Sequence, residues 1–188
     1  YGVITNSTYD GLCYNAKVVE GLLDPTLDRL HWDEAWYAYA RFNPIYRGRH
    51  AMRGDPKDHD GPTIFATHST HKLLAALSQA SYLHIRDGRN TIPHERFNES
   101  FMMHASTSPL YTIIASNDVS SAMMDGNGGL TLTNESIEEA VAFRQTIGRV
   151  HAKFAKQDEW FFKTWNADLV AVPGSKRRVP FHEAPAEV

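Results

Sequence analysis

Cysteine is almost absent from this chain: Cys13 is the only one in 188 residues. That excludes an internal disulfide framework and suits a reducing compartment, so a cytoplasmic setting is expected. Long apolar runs are also missing. None approaches the roughly 20 residues that span a bilayer, and no leader pattern opens the chain, so no membrane association is expected. An excess of positive charge is lacking as well. Nineteen Lys and Arg against 22 Asp and Glu leave a net charge of −3, without the broad basic footprint that nucleic-acid binding requires. The one dense basic run, Lys176-Arg177-Arg178, reads as a solvated loop. No initiator Met is present, Tyr1-Gly2-Val3-Ile4-Thr5 reads as a strand entered midway, and the run from Val179 to Val188 has no capping element. An internal piece of a longer protein is expected.

What is present is ordinary for a soluble globular domain: 42% hydrophobic and 22% charged residues, in a length that buries a substantial core. Strand signals fall at Val3–Thr5, Arg29–Trp32 (ending at Asp33), Thr63–Ala66 and Ser81–Arg86. Helical spacing is found over Leu12–Leu23, Leu73–Gln79 and Phe97–His104. A further helix has Pro109 in its first turn and runs to Met124, where Asp125 to Gly129 breaks it. Thr133-Asn134-Glu135-Ser136 reads as the cap of a long amphipathic helix to about Lys156, with Ile137, Ala140, Val141, Phe143, Ile147 and Val150 on its apolar face. Residues Asn43 to Pro62 carry five Gly and Pro and read as a long loop. Met102-Met103 and Met123-Met124 read as core filling. Buried strands with helical crossovers indicate an α/β domain with a largely parallel sheet, whose ligands bind beyond the carboxyl ends of the strands. Asp10, Asp33 and Lys72 all follow closely on expected strands.

The segment Phe65-Ala-Thr-His-Ser-Thr-His-Lys-Leu-Leu74 puts a lysine where strand gives way to helix. An amine at such a junction can point into a cleft, as a Schiff-base enzyme needs. Asp33 closes the preceding strand, and a carboxylate there can hold a pyridine nitrogen protonated by charge pairing. Together they suggest a pyridoxal 5'-phosphate centre. Lys72 would carry the cofactor, Asp33 would pair with its ring nitrogen, and small Ala35 would leave room for a flat ring. Ser69 would offer a hydroxyl to the phosphate, and His71 would contact cofactor or substrate and move protons near neutral pH. The bland alternatives are a solvated Lys72, a capping Asp33, and Trp36, Tyr37, Tyr39 and Phe42 as packing. A metal hydrolase using His68 and His71 is a further alternative, but the helical zinc pair has i, i+4 spacing with an intervening Glu, and no metal site is expected.

Three runs carry a more specific resemblance: Asp28-Arg-Leu-His-Trp-Asp-Glu-Ala-Trp-Tyr-Ala-Tyr-Ala-Arg-Phe-Asn-Pro-Ile-Tyr46, Thr67-His-Ser-Thr-His-Lys-Leu-Leu-Ala-Ala-Leu-Ser-Gln-Ala-Ser-Tyr-Leu-His84 and Phe101-Met-Met-His-Ala-Ser-Thr-Ser-Pro-Leu-Tyr111. They resemble the bacterial inducible basic amino-acid decarboxylases, a pyridoxal-phosphate family with arginine, lysine and ornithine members. Asn6–Ala16, Gly61–His68 and Met123–Leu132 are phrased as in the arginine branch. The resemblance implies a fold-type-I, aspartate-aminotransferase-like large domain, with residues 1–165 as its C-terminal portion and 166–188 as a linker toward a further domain. It implies conversion of L-arginine to agmatine and CO2 in acid resistance. Lys72 would be the Schiff-base lysine, Asp33 the pyridinium partner, Ser69 a phosphate ligand, His71 a residue at the reacting centre and Trp36 a substrate contact. Ser106, where the family often has Thr, would reach the phosphate of the partner subunit in a homodimer with a shared site, able to assemble into larger rings. The family's phosphate loop and ring-stacking His precede the first residue here, so the piece alone is expected to be inactive. The alternatives are a lysine or ornithine decarboxylase and a non-catalytic paralogue serving assembly or regulation.

Overall fold

Short β-branched and aromatic runs separated by turn residues order the first part of the computed structural model, which describes residues 1–157, 162–172 and 174–185. The last three residues of the run expected to lack a cap, 186–188, lie outside the described residues. Strands β1 (Gly2–Thr5), β2 (Arg29–Asp33), β3 (Thr63–His68) and β4 (Tyr82–Arg86) form one sheet in that order. The β1–β2 and β2–β3 pairs are parallel and β4 adds an antiparallel edge, so the expected α/β architecture with a mainly parallel sheet is observed. The registers align Thr5 with Asp33 and Asp33 with Thr67, which brings three carboxyl ends to one rim.

Strand alternation decides the two faces. Leu30, Trp32, Ile64 and Ala66 point to one face and, with Ala16 of helix α1 (Ala16–Leu23) and Ala51, make the buried core. The opposite face is more open; Val3 is 59% exposed and Leu83 43%. Helix α1 begins four residues later than its apolar spacing suggests, because the Asn15 side chain accepts from the Val18 N–H and caps it there. The long loop 43–62 is packed rather than loose: Asn43, His50 and Ala51 are buried.

Two helical expectations fail for tertiary reasons. Helix α2 spans only Thr70–Leu73, and residues 74–79, expected to be helical, are irregular. The partners that a helix would use are taken elsewhere. The Leu77 N–H donates to Ser116 Oγ, and the Ala80 carbonyl accepts from both the backbone and the ring of His71. Gln79 then turns the chain back with φ 77°. The following helices are α3 (His94–His104) and α4 (Tyr111–Met124); Pro109 stands just ahead of the Leu110 cap rather than inside the first turn. Asp125 breaks the helix as expected, but helix α5 (Gly126–Phe154) starts at once, so Thr133 to Ser136 are interior residues, not a cap. Gly129 permits this, since a Cβ there would collide with the Met124 carbonyl oxygen. Ser136 Oγ spends its hydrogen bond on the Leu132 carbonyl one turn back. On α5, Phe143 and Ala140 are exposed while Ile137, Val141, Ile147 and Val150 are partly buried. Of the two methionine pairs only Met124 is buried; Met102, Met103 and Met123 are exposed.

The chain divides into two compact units, residues 1–130 and 131–188. In the second, α5 receives the segment 181–184, with Gln145 donating to the Phe181 and Ala184 carbonyls. Strands β5 (Leu169–Ala171) and β6 (Arg178–Pro180) pair antiparallel within the stretch expected to be a linker; the basic run expected as loop ends inside β6, where Arg178 pairs with Ala171. Among the described residues no helix is long and apolar enough to cross a membrane.

Candidate cofactor site at the carboxyl rim of the sheet

Asp33 is the last residue of β2, so its side chain leaves the sheet at the rim, on the face shared with His31 and Thr67, whose Nε2 and Oγ1 lie 2.7 Å apart. Its Oδ1 accepts from the Ala35 N–H at 3.1 Å. Its second oxygen has no hydrogen-bond partner among the described residues. Two residues on, Ala35 and Trp36 line a cavity of about 370 Å³ together with Tyr39, Phe42, Leu74, Ser69 and the rings of His68 and His84.

The Lys72 turn reaches the same place from β3. Its backbone is anchored by buried Thr70, whose hydroxyl donates to Asn117 Oδ1 of α4 at 2.5 Å. Ser69 is the N-cap residue of α2 by position, yet its hydroxyl makes no capping hydrogen bond. The Lys72 ammonium stands 4.8 Å from the centre of the Trp36 ring, a cation–π arrangement. His71 is oriented through Nδ1, which must donate to the Ala80 carbonyl at 2.7 Å because a carbonyl only accepts. In the neutral ring, Nε2 is then the unprotonated nitrogen.

Sequence-expected Asp33, Ala35, Trp36, Ser69, His71 and Lys72 thus all lie at the end of β2 or on the segments that follow β2 and β3, but only Ala35, Trp36 and Ser69 line the cavity; Asp33, His71 and Lys72 stand outside its lining. Ser106 does not join them. It is exposed beyond the end of α3, does not line the cavity, and its hydroxyl accepts from the Ser108 N–H. Asp10 is exposed and also lies outside the cavity lining. His68 and His71 do not converge: His68 Nε2 turns to Glu34 and His71 Nδ1 to Ala80.

The residue that sequence reasoning passed over is Glu34. It is fully buried, and Oε1 accepts from Asn6 Nδ2 at 2.9 Å and from the Ala51 N–H at 2.8 Å. Oε2 accepts from His68 Nε2 at 3.2 Å. His50 Nδ1 lies 3.6 Å from Oε1, too long for a hydrogen bond but an electrostatic contact. Burial pushes the Glu34 carboxyl up, but the rings of His50 and His68 and the Ala51 N–H outweigh it and hold it at about 2. Beside it, His84 packs 4.4 Å from His68, centre to centre, and burial with that neighbour lowers it to about 4. The signal for Glu34 was available in the alternation Leu30, Trp32, Glu34, which continues an inward-facing row with a carboxylate.

The family model described as "Orn/Lys/Arg decarboxylase, major domain" matches residues 1–183. The chain is 60% identical over 188 residues to the biodegradative arginine decarboxylase of Escherichia coli (strain K12), covering 100% of this chain and 25% of that protein. It is 52% identical over 169 residues to a lysine decarboxylase of Pseudomonas aeruginosa, covering 89% of this chain and 22% of the relative. Among solved structures, lysine decarboxylase A from Pseudomonas aeruginosa superposes with a TM-score of 0.78 at 52% identity, over 85% of this chain and 21% of that one. The chain therefore spans about a quarter of the length of the curated relatives it matches.

Proposed function

Because the chain belongs to the Orn/Lys/Arg decarboxylase family, we propose that it carries part of the pyridoxal 5'-phosphate centre of an enzyme that converts L-arginine to agmatine and CO2. The observation that carries the cofactor reading is the approach of Lys72 and Asp33 to one rim from adjacent parallel strands. The residues present fit that group: an amine for its aldehyde, a carboxylate with an uncommitted oxygen for its ring nitrogen, and a hydroxyl not spent on capping for its phosphate. Ala35, small and hydrogen-bonded through its N–H to Asp33, leaves space for a flat ring.

When bound, the cofactor supplies the electron sink that an amino-acid carbanion lacks on its own. The protein's part is to hold and orient. Lys72 is the attachment residue, and the face of Trp36 steadies its charged amine before attachment. Asp33 keeps a positive charge on the ring nitrogen, held in place by the Ala35 N–H on its other oxygen. Ser69 serves the phosphate. His71, with Nδ1 fixed on Ala80, presents Nε2 as the atom that takes up and delivers a proton. One proton replaces the lost carboxylate, so each turnover consumes one. Trp36 contributes an apolar wall against the substrate's methylene chain.

The reading extends to a fold-type-I large domain, with residues 1–165 as its C-terminal portion and 166–188 leading toward a further domain. It extends also to a cytoplasmic homodimer, able to form larger rings, that serves acid resistance. Ser106, exposed and outside the cavity of its own chain, would serve the partner subunit's phosphate. Arginine is preferred as substrate on the 60% identity to an arginine decarboxylase; the 52% identity to a lysine decarboxylase keeps lysine as the second reading.

The test uses the full-length protein that carries this chain, purified with pyridoxal phosphate. Its visible absorbance is recorded first, then CO2 release with arginine, lysine and ornithine in parallel. A cofactor band lost in Lys72→Ala, with turnover of arginine, is the expected result. A band with lysine preferred moves the substrate and keeps the chemistry; the absence of any band refutes the reading.

A further inference from the structure

The sheet ladder between β2 and β3 ends at the Asp33–Thr67 pair and the Glu34 N–H to Thr67 carbonyl bond of 3.0 Å. Beyond that point, among the described residues, only side chains connect the two segments that bear Asp33 and Lys72. The Glu34 carboxylate makes that connection. One oxygen holds Asn6, from the loop after β1, and the Ala51 N–H, from the long loop. The other holds His68, the last residue of β3 and the fourth before Lys72. Asn6 extends the tie, since its Nδ2 also reaches the Arg49 carbonyl at 3.4 Å, its Oδ1 accepts from the Tyr14 N–H and its own N–H donates to the Asp33 carbonyl.

We propose that Glu34 is a positioning residue for the cofactor site, fixing the Lys72 turn against Asp33 through His68 while anchoring the loops after β1 and β2 to the same carboxylate. A buried charge is retained only where its donors are satisfied, and here three of them come from three different segments. Glu34 has no exposed surface, so it touches neither cofactor nor substrate; its action is on the placement of residues that do. A shift of about 1 Å in a group that must meet a reacting atom costs on the order of 10²-fold in rate.

This inference rests on the cofactor reading above, and its test separates the two. In the full-length protein, cofactor affinity is measured by absorbance titration of the cofactor-free form, alongside kcat and KM for arginine and the melting temperature. His68→Leu removes the link toward Lys72 together with the ring that lines the cavity and packs on His84, so His68→Gln, which lacks the ring but keeps a donor, is measured beside it. His68→Leu is expected to weaken cofactor binding and to lower kcat by on the order of 10²-fold, with KM largely unchanged. His68→Gln, whose amide still donates to the carboxylate, is expected to restore most of both. Should His68→Leu not fold, His68→Met, an apolar side chain without a donor for the carboxylate, carries the same test. If these variants melt lower yet bind cofactor and turn over like the wild type, or if His68→Gln is as impaired as His68→Leu, the positioning role is wrong and the cofactor reading stands. If the wild type itself binds no cofactor, both fall.

Discussion

Asp33 and Glu34 are neighbours in sequence, but alternation on a strand sends their carboxylates to opposite faces, and the two then have different chemistry. Asp33 stays partly exposed with an uncommitted oxygen, while Glu34 is sealed in and held ionised at about 2. The sign of the resulting pH dependence follows. A carboxyl lowered on folding contributes stability that is present above its ordinary 4.5 and is lost as pH falls through that value toward 2. His84, lowered from 6.5 to about 4, acts in a higher window. The unfolded chain takes up its proton below 6.5 while the folded one resists until about 4, so stability also falls as pH drops through that interval. Denaturation midpoints of the full-length protein between pH 7 and 4 should therefore decline less steeply in His84→Gln than in the wild type. An unchanged slope would show that His84 is not held neutral by its surroundings.

At the scale of elements, the junction between α4 and α5 makes the sharper test, because two residue types there do the opposite of what their local signals suggest. Gly129 looks like a breaker, yet it is buried within a helix where the Met124 carbonyl leaves no room for a side chain. Gly129→Ala should therefore destabilise, by about 1–3 kcal/mol as in overpacked cores, although alanine is the better helix former. Ser136 looks like part of a cap, and removing a cap costs about 1 kcal/mol. As an exposed interior residue bonded to its own helix, it should instead tolerate alanine, with a change within about 0.5 kcal/mol and toward higher stability. Thermal melts of the two variants decide whether α5 begins at Gly126 or near Ser136.

At the scale of the whole first unit, a second buried carboxylate fixes parts of the chain far apart in sequence. Glu20 of α1 takes both terminal nitrogens of Arg53, from the long loop, and Arg86 Nη2, from β4, at 3.1 Å. Arg86 donates further to the Arg53 carbonyl at 2.8 Å. The network closes helix, loop and edge strand around the core, and both Glu20 and Arg86 are buried. Glu20→Ala strands two guanidiniums in the interior and should cost about 3–5 kcal/mol in a urea titration. A loss below 1 kcal/mol would mean that water reaches the network and that the loop is held by its apolar contacts.

Much of the candidate site's placement was legible in the sequence because its signals are local. A strand ending in Asp33, small Ala35 two residues on, and the Ser69-Thr70-His71-Lys72 run after the next strand are each contained in a few consecutive residues. Parallel pairing then carries them to one rim without further information. The sheet was legible for the same reason, since alternation and turn residues are short-range properties. Ser106 was legible as a motif only; its own chain leaves it outside the cavity that Ala35, Trp36 and Ser69 line.

The rest was decided by contacts between segments distant in the chain. Residues 74–79 have helical spacing, but Ser116 of α4 takes the Leu77 N–H that the helix needed, and the His71 ring holds the chain's return at the Ala80 carbonyl. Helix α5 runs through glycines that local propensity would leave outside it. Glu34 became a hub because Asn6, Ala51 and His68, from three separate segments, arrive at one buried carboxylate. Local propensity and periodicity are set by neighbouring residues and can be read from their order. Which donor satisfies a buried charge, or which side chain takes a helix's hydrogen bond, depends on closing loops of tens of residues, and only the tertiary structure fixes it.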